Sequence, residues 1–168
     1  MRQSMYQGKL VRLRKLNSDD ASIILPHWKV YELDRYLPTP LPTSNEDMVR
    51  YIENVNDAFA NNSMLTFGIE TLKGNQLIGI ISLVGTSWIN RFGEVGHFAI
   101  FDLEYRGKGY GADALRVLLN TAFSALDLHS VYLWVEGFNR KGVSFYERIG
   151  FKSQGRLHEL GCRDGGTT

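Results

Sequence analysis

The stretch Arg106-Gly107-Lys108-Gly109-Tyr110-Gly111-Ala112 combines the residue types that hold an anion. Its glycines permit φ > 0 and a close approach of main chain to ligand, and Arg106 and Lys108 add positive charge. Ahead of it, Val95 to Phe101 is a short run rich in apolar and aromatic residues, which predicts a strand. Behind it, Leu115, Leu118, Leu119, Ala122, Phe123 and Leu126 recur at helical spacing and predict one apolar stripe for packing on a sheet. Strand, glycine-rich turn and helix together aim backbone N–H groups at one place, which suits a phosphate or pyrophosphate. A P-loop would need Gly-Lys-Ser or Gly-Lys-Thr, which does not occur. A dinucleotide fingerprint belongs after the first strand of a repeated βαβ unit, whereas these glycines come late in a chain of 168 residues.

The elements that must position this turn can be read along the chain. Leu10 to Leu16 alternates imperfectly as a first strand, and Asn17-Ser18-Asp19-Asp20 supplies caps for a helix that kinks or ends at Pro26. Trp28 to Leu37 carries aromatics and the acids Glu32 and Asp34, a candidate substrate flap. Pro38, Pro40 and Pro42 break regular structure, and Thr43-x-x-Glu46 predicts the capping box of a second helix with Met48, Ile52, Val55 and Phe59 inward. Leu65–Thr71 and Leu77–Val84 flank Lys73-Gly74-Asn75 as a hairpin. Val131 to Val135 is a continuous apolar run, expected to be a fully buried strand joined to the earlier one by a right-handed crossover. A further helix and a short strand from Phe151 complete the tally, mixed α/β in class.

Length gives one domain, 1–168, and 43% hydrophobic residues suffice for one core. A formal charge of +1 with 22% charged residues argues against a dedicated nucleic-acid binder. Cys162 is the single cysteine, which fits a reducing compartment, and the expectation is the cytoplasm. Met1 to Gln7 lacks the apolar core of a signal peptide and no run reaches the ~20 apolar residues of a membrane span, so no membrane partner is expected.

A second segment, Asn139-Arg140-Lys141-Gly142-Val143-Ser144-Phe145-Tyr146-Glu147-Arg148-Ile149-Gly150-Phe151, reads physically as a helix with Asn139 at its N-cap and Gly150 just past its end. With Arg106, Gly109 and Gly111 it completes a pattern: [Q/R]-x-x-G-x-[G/A], then N-x-x-[AS]-x-x-x-Y-E-[KR]-x-G-F. In both signatures the chain resembles the GNAT N-acetyltransferases from about Lys9 to Glu159, with Gly142 where alanine or serine is usual. The resemblance implies a mostly antiparallel central sheet with one parallel strand pair and helices on both faces. It implies acetyl-CoA as co-substrate, no metal, and acetyl transfer to a primary amine by direct attack. By the same resemblance, Arg106, Gly107, Lys108, Gly109, Tyr110, Gly111 and Ala112 hold the CoA pyrophosphate and Asn139 the pantetheine arm. A backbone N–H between Phe98 and Phe101 meets the oxyanion.

That chemistry needs a neutral amine and a protonated leaving thiolate, from groups with ordinary pKa values near ~10.4 and ~8.5. Tyr146 is the proton donor by resemblance; without it, Tyr146 reads equally as helix core. Glu94 is the candidate base, or an exposed strand-end acid. His97 is a rival, and period-two alternation places it on the strand face opposite Glu94. Glu32, Asp34, Trp28 and His97 are the candidate acceptor contacts. The run Trp88 to Gly96 with Leu126-Asp127-Leu128-His129 is similar to the branch that acetylates ribosomal-protein N-termini and polyamines. Within that branch a final apolar strand usually follows the segment resembling Leu157 to Gly165, and here it is missing. The expectation is that the Phe151 strand or a second copy fills the gap, the latter giving a homodimer. The alternative function is a degenerate acyl-CoA-binding or regulatory domain without turnover.

Overall fold

The computed structural model describes residues 5–28 and 42–158, together with the backbone of 162–163 and 166–167. Two units, Met1–Val131 and Tyr132–Thr168, are each taken by themselves.

The first unit is built on a sheet of β1 (Val11–Arg14), β2 (Leu65–Thr71), β3 (Leu77–Ser87), β4 (Phe92–Ile100) and β5 (Ser130–Tyr132), side by side in chain order. The first four strands are antiparallel and β4 with β5 forms the one parallel pair. Gly74 and Asn75 take positive φ in the tight β2–β3 turn, which the Lys73-Gly74-Asn75 signal predicts.

The two faces of the sheet are covered by different helices. α1 (Ala21–Trp28) and α2 (Asn45–Ala60) pack through Ile24, Trp28, Met48, Ile52 and Val55 onto Leu16, Ile80 and Phe101. α3 (Tyr110–Asn120) packs on β1, β3 and β4, with Ala114, Leu115, Val117 and Leu118 buried. Asn17 caps the short 3₁₀ turn Ser18–Asp20, and Asp20 returns the bond to the Asn17 N–H. The helix that follows runs through Pro26 to Trp28 instead of ending there.

Other expectations move by a residue or more. The capping box of α2 is Ser44 with Asp47, not Thr43 with Glu46: the Asp47 carboxylate accepts from Thr43 and Ser44, while Ser44 Oγ accepts from the Asp47 N–H at 3.1 Å. The stripe predicted through Leu126 is interrupted by a π turn, Thr121–Ala125, which changes the helical period and leaves Phe123 exposed. The expected buried strand Val131–Val135 shrinks to Ser130–Tyr132, and Trp134 is 60% exposed. Its place at the end of the sheet order explains this, since among the described residues only one side pairs.

The second unit contains α4 (Arg140–Ile149) and a hairpin of β6 (Cys162–Arg163) and β7 (Gly166–Thr167). Residues 151–157 form no strand, so the expectation at Phe151 is corrected. No helix among the described residues is long and apolar enough to cross a membrane.

Candidate active site

β4 delivers the chain to the glycine turn through a 3₁₀ turn, Leu103–Tyr105, capped by Asp102. Gly107 and Gly109 then adopt φ of 69° and 90°, a region open to glycine and costly for other residues. Gly109 is the N-cap of α3 and has no side chain to cap it. The first-turn N–H groups of residues 110–112 have no carbonyl one turn back, so α3 opens on backbone donors and the positive end of its dipole. Gly111 lies inside the first turn of α3, with Tyr110 and Ala112 on either side. A Cβ at Gly107 would meet nothing, so its role is conformational.

Two charged side chains frame this opening differently. Arg106 Nε donates to the Ile100 carbonyl at 2.6 Å and ties the turn to the end of β4. Lys108 is exposed. The sequence reading missed Asp113, whose carboxylate accepts from the N–H groups of Lys9, Leu10 and Val11 at 3.1, 2.7 and 3.0 Å. Three amide donors absorb a charge that would otherwise oppose an anion near the same helix start, and they lock α3 to β1. Only the fold brings residues so distant in sequence together.

On β4, Glu94 stands opposite Val84 and is half-buried. The ladder is regular from Ser82 to Val84 and from Gly79 to Ile80, but Ile81 faces the two residues His97 and Phe98. His97 takes φ of 41° at this bulge. Its Nδ1 lies 3.4 Å from Ser82 Oγ, and Ser82 shares a face with Val84. The bulge therefore cancels simple alternation, and His97 reaches the same face as Glu94 instead of the opposite one. Burial pushes the His97 imidazole below its usual pKa.

Two further candidates are corrected. The Phe101 N–H already donates to the Ile78 carbonyl at 2.9 Å, and its ring stacks on His27 at 4.8 Å. Phe101 is thus a core residue whose amide is committed, not an oxyanion donor. Trp28 is 1% exposed and meets Tyr51 edge to face at 5.1 Å, so it is core rather than an open acceptor contact. Glu32 and Asp34 lie outside the described residues.

In the second unit Asn139 is the N-cap of α4, its Oδ1 accepting from the Gly142 N–H at 2.9 Å. A Cβ on Gly142 would sit 2.6 Å from Asn139 Nδ2, so the glycine leaves room for the capping side chain. Gly150 ends α4 with φ of 118°. Tyr146 is half-buried, edge to face with Phe145 at 5.2 Å and Phe151 at 6.0 Å. Arg140, Lys141, Ser144 and Arg148 line a basic groove of about 460 Å³ on α4, which the sequence reading did not single out.

Comparison with known proteins agrees with this geometry. The Acetyltransferase (GNAT) domain model matches residues 11–152. A spermidine N(1)-acetyltransferase of Vibrio cholerae serotype O1 is 34% identical over 107 residues, which are 64% of this chain and 60% of that protein. A Bacillus subtilis (strain 168) protein provisionally named a ribosomal N-acetyltransferase, YdaF, is 35% identical over 94 residues, 55% of this chain and 50% of that one. The chain thus spans about half to three-fifths of the length of these two relatives. A solved spermidine N-acetyltransferase (SpeG) variant from Vibrio cholerae superposes with a TM-score of 0.75 at 27% identity, covering 94% of this chain and 88% of that one. With the glycine turn, the uncapped α3 and the matched domain in agreement, the chain belongs to the GNAT acetyltransferase family.

Proposed function

We propose that the protein transfers the acetyl group of acetyl-CoA to a primary amine by direct attack, without a covalent enzyme intermediate. The observation that carries this reading is the uncapped start of α3 behind two positive-φ glycines, in a chain matched to the acetyltransferase domain. Backbone N–H groups of residues 107–112 hold the pyrophosphate, with Lys108 and Arg106 adding charge. Asn139 contacts the pantetheine arm through Nδ2, since Oδ1 is occupied by the Gly142 N–H. Glu94 takes a proton from the attacking amine, directly or through water, and Tyr146 gives one to the departing thiolate. These roles are inferred from the motif and from the chemistry the reaction demands.

The acceptor is a polyamine or a protein N-terminus. The relatives named for spermidine make a polyamine the first to test, and Glu32 and Asp34 are the acids proposed to hold its charge. A homodimer is part of this proposal, because among the described residues β5 ends the sheet order and pairs on one side only. Light scattering at micromolar concentration checks it: a dimer is expected, and a stable monomer contradicts it.

The test of function is thiol release from acetyl-CoA against spermidine, spermine and short peptides with free N-termini, with the product weighed by mass spectrometry. One acceptor gaining a single acetyl group at amine-dependent rate is the expected outcome. Acetyl-CoA binding with no turnover on any amine would instead fit a binding domain.

A further inference from the structure

A chain of polar side chains crosses three strands beneath the β4 bulge. Thr66 Oγ1 lies 2.9 Å from Ser82 Oγ, and Ser82 Oγ lies 3.4 Å from His97 Nδ1. Both hydroxyls are buried, at 1% and 0% exposure, so each of their hydrogens needs a protein acceptor. The side chains of Thr66, Ser82 and His97 make no other hydrogen bond among the described residues.

These contacts fix the direction of the chain. If Nδ1 carried the proton and donated to Ser82, then either the Ser82 or the Thr66 hydroxyl hydrogen would point at nothing. Only one arrangement satisfies every hydrogen: Thr66 donates to Ser82, Ser82 donates to Nδ1, and the ring proton sits on Nε2. A stranded buried donor disfavours the other arrangements by roughly five- to a hundredfold. The strained φ of 41° at His97 is consistent with a ring held by its surroundings, since such backbone persists where packing over-determines it.

We propose that His97 is a fixed, neutral Nε2–H donor at the bulge and not the proton acceptor of the reaction. A nitrogen already carrying its proton cannot take one from an amine, and Nδ1 is engaged by Ser82. What Nε2–H can do is donate to an oxygen. The Phe101 amide is committed to the Ile78 carbonyl, and the His97 ring is a side-chain donor on the same strand; the oxygen assigned to it is the acetyl thioester carbonyl. That last role rests on the proposed acetyltransferase function; the tautomer does not.

The test uses the whole protein labelled with ¹⁵N at histidine. At neutral pH the His97 ring should show a protonated Nε2 and an unprotonated Nδ1; a protonated Nδ1, whether in the other tautomer or in an imidazolium, would overturn the proposal. Added acetyl-CoA should shift the Nε2–H proton downfield, while desacetyl CoA should not. Equal responses to the two, with both bound by calorimetry, would remove the donor role. His97→Asn, which tolerates positive φ, should lower kcat about tenfold with acetyl-CoA affinity kept and the pH–rate limb unmoved. Disappearance of that limb, with a loss above 100-fold, would make His97 the base. Failure of acetyl-CoA to bind at all would count against the proposed function and leave the tautomer result standing.

Discussion

The sheet has two faces of different character. Under α3 lie Val11, Leu13, Ile69, Ile81 and Leu83, each with at most 4% exposure, against Ala114, Leu115 and Leu118. Under α1 and α2 the apolar residues Leu16 and Ile80 share their face with Thr66, Ser82 and Glu70, all buried. Arg14 pairs there with both Asp20 oxygens at 2.8 Å and with Glu70, and these partners hold its guanidinium above the usual range. Trp28 Nε1 and the Tyr51 hydroxyl are also buried on this side with no hydrogen-bond partner among the described residues. The apolar face anchors the helix that follows the glycine turn, and the polar face carries Glu94 and His97, the groups proposed to act in the reaction.

The comparison predicts that substitutions on the first face cost stability and those among the reacting groups cost rate. Tyr146→Phe and Glu94→Gln should each lower kcat about 100- to 10,000-fold with acetyl-CoA affinity nearly unchanged. Steady-state kinetics beside calorimetry would check this, and a loss under threefold would assign the task to water or another residue. Leu118→Ala, on the buried side of α3, should lower unfolding free energy by roughly 2–5 kcal/mol and leave kcat in place. Denaturant melts and rates measured on one preparation would separate the two effects.

Proton linkage sharpens the same contrast from the polar side. Burial pushes the Tyr51 hydroxyl up to about 12 from 10.0. Its contribution is present below pH 10, where both states are protonated, and is lost as pH rises through 12 because the unfolded chain ionises first. The loss is at most about 3 kcal/mol and should vanish in Tyr51→Phe. His97 has the opposite sense: its folded value is lowered, so its contribution is complete above the unfolded value near ~6.5 and declines as pH falls below it. His97→Asn should flatten that acid-side slope in thermal melts, the smallest of these effects.

Much of this was legible in the residues, and what was not has identifiable causes. The glycine turn, the Asn139 cap and the Gly150 end are local, set by conformational needs a few residues long, and they stand where the pattern put them. The π turn at Thr121 left no such signal. There Thr121 Oγ1 bonds to the Val117 carbonyl at 2.9 Å and to that of Met5 at 3.2 Å, a tertiary contact that apolar spacing does not encode. Nor did alternation reveal the bulge at His97, because a run from Val95 to Phe101 carries no glycine at the bulged position. The Asp113 clamp was hidden for a similar reason: an acid in a first helical turn looks like ordinary dipole compensation until Lys9, Leu10 and Val11 are brought beside it.

The claim on which the rest depends is that the glycine turn at the head of α3 is the acetyl-CoA site. Calorimetric titration of acetyl-CoA into the wild-type protein and Gly109→Val tests it most directly, with circular dichroism confirming that the variant keeps its fold. Valine's Cβ would have room, at 3.7 Å from Leu10 Cδ1, but φ of 90° would strain it and turn the donors aside. Saturable binding to the wild type, weakened at least a hundredfold in the folded variant, is the predicted result. Equal affinity in the two proteins would contradict it.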